Sequence, residues 1–469
     1  MTTISKLALA VAICMAALPA TYAQSAEKAP QTSGALSAEQ AREENAYTLG
    51  VQAYLWGYPL YFYDLNGPKT LQAGVVGMNT LRKYTALKTA KDRLVVTPNN
   101  VTIDAYARFD VSKEPLVVHV PALTEPRWYL TQIGNMFDEV THNIGGIKGP
   151  QPGDYLLTGP DFRGTVPLEM TQVPIRTQGG VVAVRIFANG EADVAGAVEA
   201  QKGFQVLPLS AYLRDGLQYK PGPTETPPVF TSTAPEGVSY FDQLGHAMQH
   251  YLPLSGDQDD ALIRQMRLIG LSADKGFEWR SLDEATLRGL SRAAAVGPQV
   301  VDQRWKSFGE NTNGWRYVLL GGRAGGDFAL RAALAKYAIG TQLAEQVLYP
   351  NTQVDDKGAA LDGKHKYILH FPKGQLPPAS LFWNLSMYGN DMLFVENAFE
   401  RYTIGSMTSG LKPDTDGSLT LLIQQERPSD TANWLPAPTG PFNLTMRFYG
   451  PGSSVLDGSY RLPAVKRVD

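Results

Sequence analysis

The hydrophobic positions change period three times along the chain. From Ser37 to Leu60 they recur at helical spacing, with Ala46, Leu49, Ala53 and Trp56 on one face. Ser37 and Gln40 make the S-x-x-Q of a capping box and predict the helix start. Pro59 predicts its kink or end. From about residue 93 the spacing falls to two. "TIDAYARFDV", "PLVVHVPAL", "RWYLTQIGNMF" and "GVVAVRIFA" are short β-rich runs broken by Pro, Asn and Gly. They predict an antiparallel sandwich or barrel over 93–190. The helical period then returns in "YFDQLGHAMQHYL", "DEATLRGLSRAAAVGPQVVDQRW" and "DFALRAALAKYAIGTQLAEQVL", the last with Asp327 as N-cap. From about 351, "KYILHF", "LFWNLSMY", "SLTLLIQQE" and "FNLTMRFY" predict a second β-domain.

The pattern therefore reads as α+β: two antiparallel β-sandwich or jelly-roll-like domains, joined and flanked by helices. The expected division is a β-rich domain with its N-terminal helix at 37–210, a helical connection at 211–350 and a second sandwich at 351–469.

One stretch, "HFPKGQLPPASLFWNLSMYGN" at 370–390, is unusually apolar and aromatic. Phe371, Leu376 and Leu381 read as buried. Alternation puts Phe382, Asn384, Ser386 and Tyr388 on one face, and Leu381, Trp383, Leu385 and Met387 on the other. That is the pattern of a strand covered on both sides. The double proline marks the edge or loop that feeds it.

Residues 1–23 read as an exported leader: Lys6, an apolar run from Leu7 to Leu18, and Thr21-Tyr22-Ala23 as the cleavage site. Residues 24–36 read as a flexible lead. The expected location is the periplasm or the exterior. Cys14, the only cysteine, lies inside the leader, so the mature chain has no disulfide and no thiolate site. No later run is long and apolar enough to span a membrane. Roughly 445 residues remain, enough for two or three domains. The net charge of −3 carries no basic block, which argues against nucleic acid and against electrostatic membrane docking.

Few motifs carry recognisable chemistry. His246 and His250 have metal-ligand spacing, but Ala247 stands where a zinc protease needs Glu. They read as two histidines on a half-buried helix face. "DTDGS" (414–418) reads as a hairpin turn, and "DDKGAALDG" (355–363) as a solvated loop. "GGRAGG" (321–326) reads as a connection into a capped helix. No metal and no cofactor are expected, and no G-x-S-x-G elbow occurs.

"TPNNVTIDAYARFD" (97–110) is richer. Alternation places Asp104, Tyr106 and Arg108 on one face, after Asn99 and Asn100 in a turn. "RWYLTQIGNMFDE" adds Arg127, Tyr129, Gln132, Asn135 and Asp138. Such a face either lines a pocket for a small polar ligand or forms a hydrogen-bond network that holds the sheet. Arg401, Tyr402, Trp434 and Arg447, each beside a turn, either bind a saccharide or plug the second β-domain.

Several of these stretches together resemble the bacterial two-domain family built from DUF1254 followed by DUF1214. "AYLWGYPL", "TPNN", "EPLVVHVP", "RWYLTQIGNMF" and "YLLTGP" are similar to the first domain. "LDGKHKYILHFPKGQLPPASLFWNLSMY", "RYTIGS", "DGSLTLLIQ" and "NWLPAP" are similar to the second. The resemblance implies β-sandwich or jelly-roll domains with helical insertions. It delivers no reaction. The family pattern commonly has Asp where this chain has Val101, and again near Asn135. The nearby acids here are Asp104, Asp110 and Asp138.

The expected function is a pocket between the β-rich domains for a small polar or saccharide-like ligand. Asn99, Asn100, Tyr106, Arg127 and Tyr129 would line one side, and Arg401, Tyr402, Trp434 and Arg447 another. An alternative is a hydrolase or lyase on a glycan or ester, using Asp104 or Asp138. A third is a structural envelope protein that self-associates through its sheet edges.

Overall fold

The computed structural model describes residues 35–93, 96–223, 226–252 and 257–469. The expected leader, its cleavage near Ala23 and nearly all of the flexible lead lie outside the described residues. No described helix is long and apolar enough to cross a membrane.

Helix α1 (Ala38–Gln72) starts at the expected capping box, where Ser37 and Gln40 bond reciprocally. It does not end at Pro59. It runs on through Pro59 and Pro68. A proline removes one backbone bond, but here the surrounding turns are held by burial: Trp56, Pro59 and Leu60 are all in the interior. Four more helices pack around it: α2 (Ser239–Tyr251), α3 (Asp257–Met266), α4 (Glu284–Ser307) and α5 (Phe328–Tyr337). So α1, expected with the first β-domain, anchors the helical layer instead.

Small residues let α1 and α4 approach closely. A Cβ on Gly289 would lie 2.3 Å from the Glu43 carbonyl oxygen, and one on Gly297 2.4 Å from the Tyr54 ring. A buried acid ties the layer together. Asp259 accepts from Trp56 Nε1 at 2.8 Å and lies 3.5 Å from Arg331 and 3.3 Å from Arg176.

The first β-domain is a sandwich. Its strands are β1 (Thr102–Asp110), β2 (Leu116–Val120), β3 (Tyr129–Asn135), β4 (Val140–Gly145), β5 (Gly153–Thr158), β6 (Met170–Pro174), β7 (Gly179–Phe187) and β8 (Gln205–Pro208). One sheet runs β1-β7-β3-β4, extended beyond β1 by Gly77–Met78 and Arg82–Lys83. The other runs β8-β2-β5-β6. Ile103, Ala105, Ala107 and Phe109 of β1 face the core between them, with Val182, Val184 and Ile186 of β7.

The second β-domain repeats the plan with β9 (Asn351–Thr352), β10 (Tyr367–Phe371), β11 (Ala379–Gly389), β12 (Thr403–Gly405), β13 (Leu419–Gln424), β14 (Trp434–Pro436) and β15 (Phe442–Pro451). Its large sheet contains β9-β15-β11-β12, and its small sheet β14-β13-β10. The fold is thus α+β with two sandwiches, mostly antiparallel. β5–β6, β13–β14 and the Gly77–Met78 pairing with β1 are parallel.

The aromatic strand β11 has the expected two faces. Trp383, Leu385 and Met387 enter the second domain's core. Phe382 turns to the first domain, stacking on its sheet neighbour Tyr449 at 4.0 Å and meeting Phe187 at 4.5 Å and Trp128 at 5.8 Å across the seam. Leu381 leaves the core because the register slips between Ala379 and Phe382, and it is 38 % exposed; Leu376 is 40 % exposed in the feeding loop.

The α1–α4 contact generates a prediction of sign. Gly289→Ala would add helix propensity worth about 0.5–1 kcal/mol. The clash is with backbone, and overpacking costs about 1–3 kcal/mol. The variant is expected to melt at a lower temperature than the parent. A higher melting temperature would show that the two helices can separate at little cost.

Candidate functional site

A chamber of about 380 Å³ lies between the two β-domains and the helical layer. Its floor is the outer face of the first domain's large sheet. The parity that sends Ile103, Ala105 and Ala107 to the core sends Asp104, Tyr106 and Arg108 to the chamber. Ala183 and Arg185 of β7 and Gln132 of β3 join them. Thr445, Arg447 and Tyr449 of β15 form the facing wall. The helical layer contributes Tyr63 of α1 and the turn at 338–341 after α5.

That turn was expected to be helix. The helix stops at Tyr337, and Gly340 sits at φ +71°, which glycine adopts readily. Its main chain is used by the chamber: Gly340 N–H donates to Asp138 Oδ1 at 3.0 Å, and its carbonyl accepts from Arg185 at 3.4 Å.

"TPNN" is the seam between the domains. Thr97 has φ +50°, a strained value for a β-branched residue. Its carbonyl accepts from Arg447 at 2.9 Å, and the Pro98 carbonyl accepts from Tyr388 at 2.7 Å. Asn99 Nδ2 donates to Tyr449 Oη at 2.9 Å and to Thr102 Oγ1 at 3.0 Å. Asn100 Oδ1 accepts from Thr403 at 2.7 Å. Val101 packs with Phe382 and Tyr449.

The two expected acids both line the chamber but differ in their bonding. Asp104 has both oxygens engaged, one by Thr102 at 2.7 Å and one by Tyr106 at 2.8 Å. Burial raises its carboxyl above the ordinary value, while Arg185, Thr102 and Tyr106 oppose the rise. Asp138 sits at the tip of a tight turn with φ +59°. Asn135 Oδ1 shapes that turn by accepting from Phe137 N–H at 2.8 Å and Glu139 N–H at 3.3 Å. Asp138 Oδ1 accepts from Tyr63 Oη at 2.8 Å as well as from Gly340. Among the described residues its Oδ2 has no hydrogen bond. Burial pushes this carboxyl up to about 7, against the pull of the Tyr63 and Gly340 bonds; Glu139 adds to the rise.

The remaining candidates lie elsewhere. Arg127 is bound bidentately to Asp193 at 2.6 and 2.7 Å. Tyr129 points into the first sandwich core, where Gln151 N–H donates to it. Arg401 bonds the Thr431 and Trp434 carbonyls at 2.6 and 2.9 Å. Trp434 is buried and donates to Gln424 O, and Tyr402 stacks on Phe394. Asp110 accepts from Ser112 N–H. His246 pairs with Asp64 at 2.8 Å, and His250 bonds back to the His246 carbonyl.

Sequence reasoning overlooked Arg185, Tyr63 and Gly340. Arg185 left a signal: it is the one charge in "GVVAVRIFA" and has the parity of Val181 and Ala183. Tyr63 and Gly340 left none, since their partner is distant in the chain.

Residues 78–208 match the family described as a protein of unknown function, DUF1254, and residues 346–453 match DUF1214, described likewise. A crystal structure of the VPA0106 protein from Vibrio parahaemolyticus is similar over 90% of this chain and 100% of its own, with 23% identity and a TM-score of 0.68. That likeness shows the shared fold. An uncharacterised protein from Burkholderia cenocepacia aligns over 92% of this chain and 96% of its own, with 11% identity and a TM-score of 0.42. No curated protein matches.

The raised carboxyl fixes a pH dependence. Between the ordinary Asp value of 3.8 and about 7 the folded state holds a proton that the unfolded chain has released. Asp138 therefore lowers stability progressively as pH rises through that window. Asp138→Asn keeps both accepted bonds and removes the titration. Its stability relative to the parent, from urea melts at about pH 4 and about pH 8, is expected to be greater at the higher pH. A pH-independent difference would refute the assignment.

Proposed function

The chain belongs to the two-domain family in which DUF1254 precedes DUF1214, and we propose that its inter-domain chamber binds a small polar molecule carrying an anionic group, after export to the periplasm. The observation that carries this reading is a pair of guanidinium groups facing one chamber from opposite domains. Arg185 bonds Gln132 Oε1 at 2.8 Å and the Gly340 carbonyl. Arg447 bonds Ser386 Oγ, Tyr388 Oη and the Thr97 carbonyl. All five acceptors are neutral oxygens. Among the described residues neither arginine has a carboxylate oxygen within 4.0 Å. Asp104 offsets part of the Arg185 charge from farther away.

Desolvating a cation costs several kcal/mol. Each hydrogen bond to it returns about 1.5–3 kcal/mol. An anionic oxygen pair would supply the missing charge, and the guanidinium fork matches its geometry. Much of the remaining lining is apolar, with Tyr106, Tyr349, Tyr449, Asn99 and Gln132 as neutral polar groups; Asp92, Asp104, Asp138 and Glu139 line it as well, beside Lys88 and Arg108. That mixture suits a compact ligand such as a sugar acid or an organic acid. The volume lies in the range of about 300–1,000 Å³ common to small-molecule sites. The apolar run at Leu7–Leu18 supports export.

D-Glucuronate and D-glucose differ in one carboxylate and make a direct test. Succinate and malate extend it. The acids are expected to raise the melting temperature, since a ligand of the native state stabilises it by mass action. Arg185→Gln is expected to weaken their binding roughly 10- to 100-fold, from one lost charge-assisted contact. Equal shifts with glucose and glucuronate would remove the anionic part of the reading. No shift with any acid would remove the rest.

A further inference from the structure

Asp138 is built for more than holding the chamber together. Its turn is strained, with a non-glycine residue at φ +59°, and Asn135 is spent on shaping it. Two donors from two other parts of the fold, Tyr63 of α1 and the Gly340 turn, fix one carboxyl oxygen. Among the described residues the second oxygen of this chamber-lining side chain has no hydrogen-bond partner. Asp104, by contrast, has both oxygens engaged. Arg185 lies across the same turn: Gly340 bonds Asp138 through its N–H and Arg185 through its carbonyl. Gln132 holds the arrangement by accepting from Arg185 at 2.8 Å and donating to Thr341 O at 3.3 Å. One wall thus presents a free carboxyl oxygen and a guanidinium fork in fixed relation.

Building on the anion-binding reading, we propose that Asp138 is a catalytic base that removes a proton from the carbon next to a carbonyl in a carboxylate-bearing ligand held by Arg185. The C–H bond breaks and an O–H bond forms at Asp138 Oδ2. The released electron pair moves into the adjacent C=O and makes an enolate, whose oxygen charge faces the guanidinium. Returning a proton to that carbon completes an exchange on the same face, or an epimerisation when the proton arrives from water on the opposite face and the proton on Asp138 passes to water. In an elimination the enolate pair instead forms a C=C bond to the neighbouring carbon, the group there leaves with its bonding pair, and the proton on Asp138 passes to that group or to water. Neither route needs an oxidant, a reductant or a reactant other than water.

The environment supports a group that is ionised yet basic near neutrality. Facing it are Tyr63, Glu139 and, across Gly340, Arg185. Arg108 lies over the Tyr63 ring, and Arg331 acts on Glu139 from the helical layer. Burial dominates and holds the carboxyl up at about 7, close to the working range of a general base.

Proton transfer can be read without knowing the natural substrate. The protein is incubated in D₂O with 2-oxobutyrate, oxaloacetate and D-galacturonate, and loss of the C–H signal next to the carbonyl is followed by NMR. Thermal shifts on the same panel report binding. At least one acid is expected to bind and to exchange roughly 100-fold faster with the parent than with Asp138→Asn, while that variant keeps its thermal shift. The rate is expected to rise with pH through about 7. Tyr63→Phe removes a bond that lowers the Asp138 pKa, so it should move the inflection to higher pH; a merely structural Tyr63 would change amplitude only. Binding without exchange above the Asp138→Asn level overturns the catalytic role and leaves the binding reading standing. Absence of binding across the panel overturns both. Should Asp138→Asn fail to fold, the pH inflection and its displacement in Tyr63→Phe decide the matter alone.

Discussion

Two large sheets face each other across this molecule, and neither can leave its outer face bare. Each already has a sandwich core behind it. The outer faces carry Phe187 and Val101 on one side and Phe382 and Tyr449 on the other, with Trp128 between them. Burying these rings joins the domains. Aromatic pairs at 4.0–5.8 Å add about 0.5–1.5 kcal/mol each beyond the area they bury. "TPNN" closes the same seam with polar bonds to Arg447, Tyr388, Tyr449 and Thr403. A strained Thr97 persists there because bonds on both sides hold it, its N–H to Met392 and its carbonyl to Arg447.

The chamber begins where the aromatic seam stops. Strand alternation continues, but the outward residues become Asp104, Tyr106 and Arg108 on one strand and Thr445 and Arg447 on the other. Polar side chains of that kind cannot close on each other as the rings do. They need partners for their charges and room for their hydrogen bonds. Val101 marks the boundary from one side. Val101 packs with Phe382 and Tyr449, so that position joins the apolar seam rather than the polar chamber. Asp138, on another strand's turn, is a chamber-lining acid with one oxygen that accepts no hydrogen bond among the described residues.

How much of this the sequence disclosed follows from the range of the interactions. The capping box at Ser37, the N-cap at Asp327 and the two faces of β11 depend on residues within a few positions, and they are legible in the sequence. The face Asp104-Tyr106-Arg108 was legible because it needs parity alone. Tyr129 was grouped with Gln132, although positions three apart on a strand point to opposite faces; the structure puts one in the core and the other on the chamber. Arg401 and Trp434 stand out by residue type beside turns, and Arg127 by its place in the polar-aromatic run 127–138. Residue type does not reveal that Asp193 already holds Arg127, or that two carbonyls hold Arg401. The partners of Asp138 are 75 and 202 residues away. No local pattern could have joined them.

The early stop of α5 is the step that connects fold to chemistry. Its apolar period continues past Tyr337, so propensity favours more helix. Further helix would place the 338–341 carbonyls and N–H groups in intrahelical bonds. Instead Gly340 takes a left-handed conformation and offers its N–H to Asp138, while its carbonyl and that of Thr341 serve Arg185 and Gln132. The backbone groups withdrawn from the helix are therefore the ones that fix the charged side chains of one chamber wall. A local sequence preference is overruled where the domains, the helical layer and the polar cluster all meet, and conflicts of that kind concentrate at working sites rather than in scaffolds.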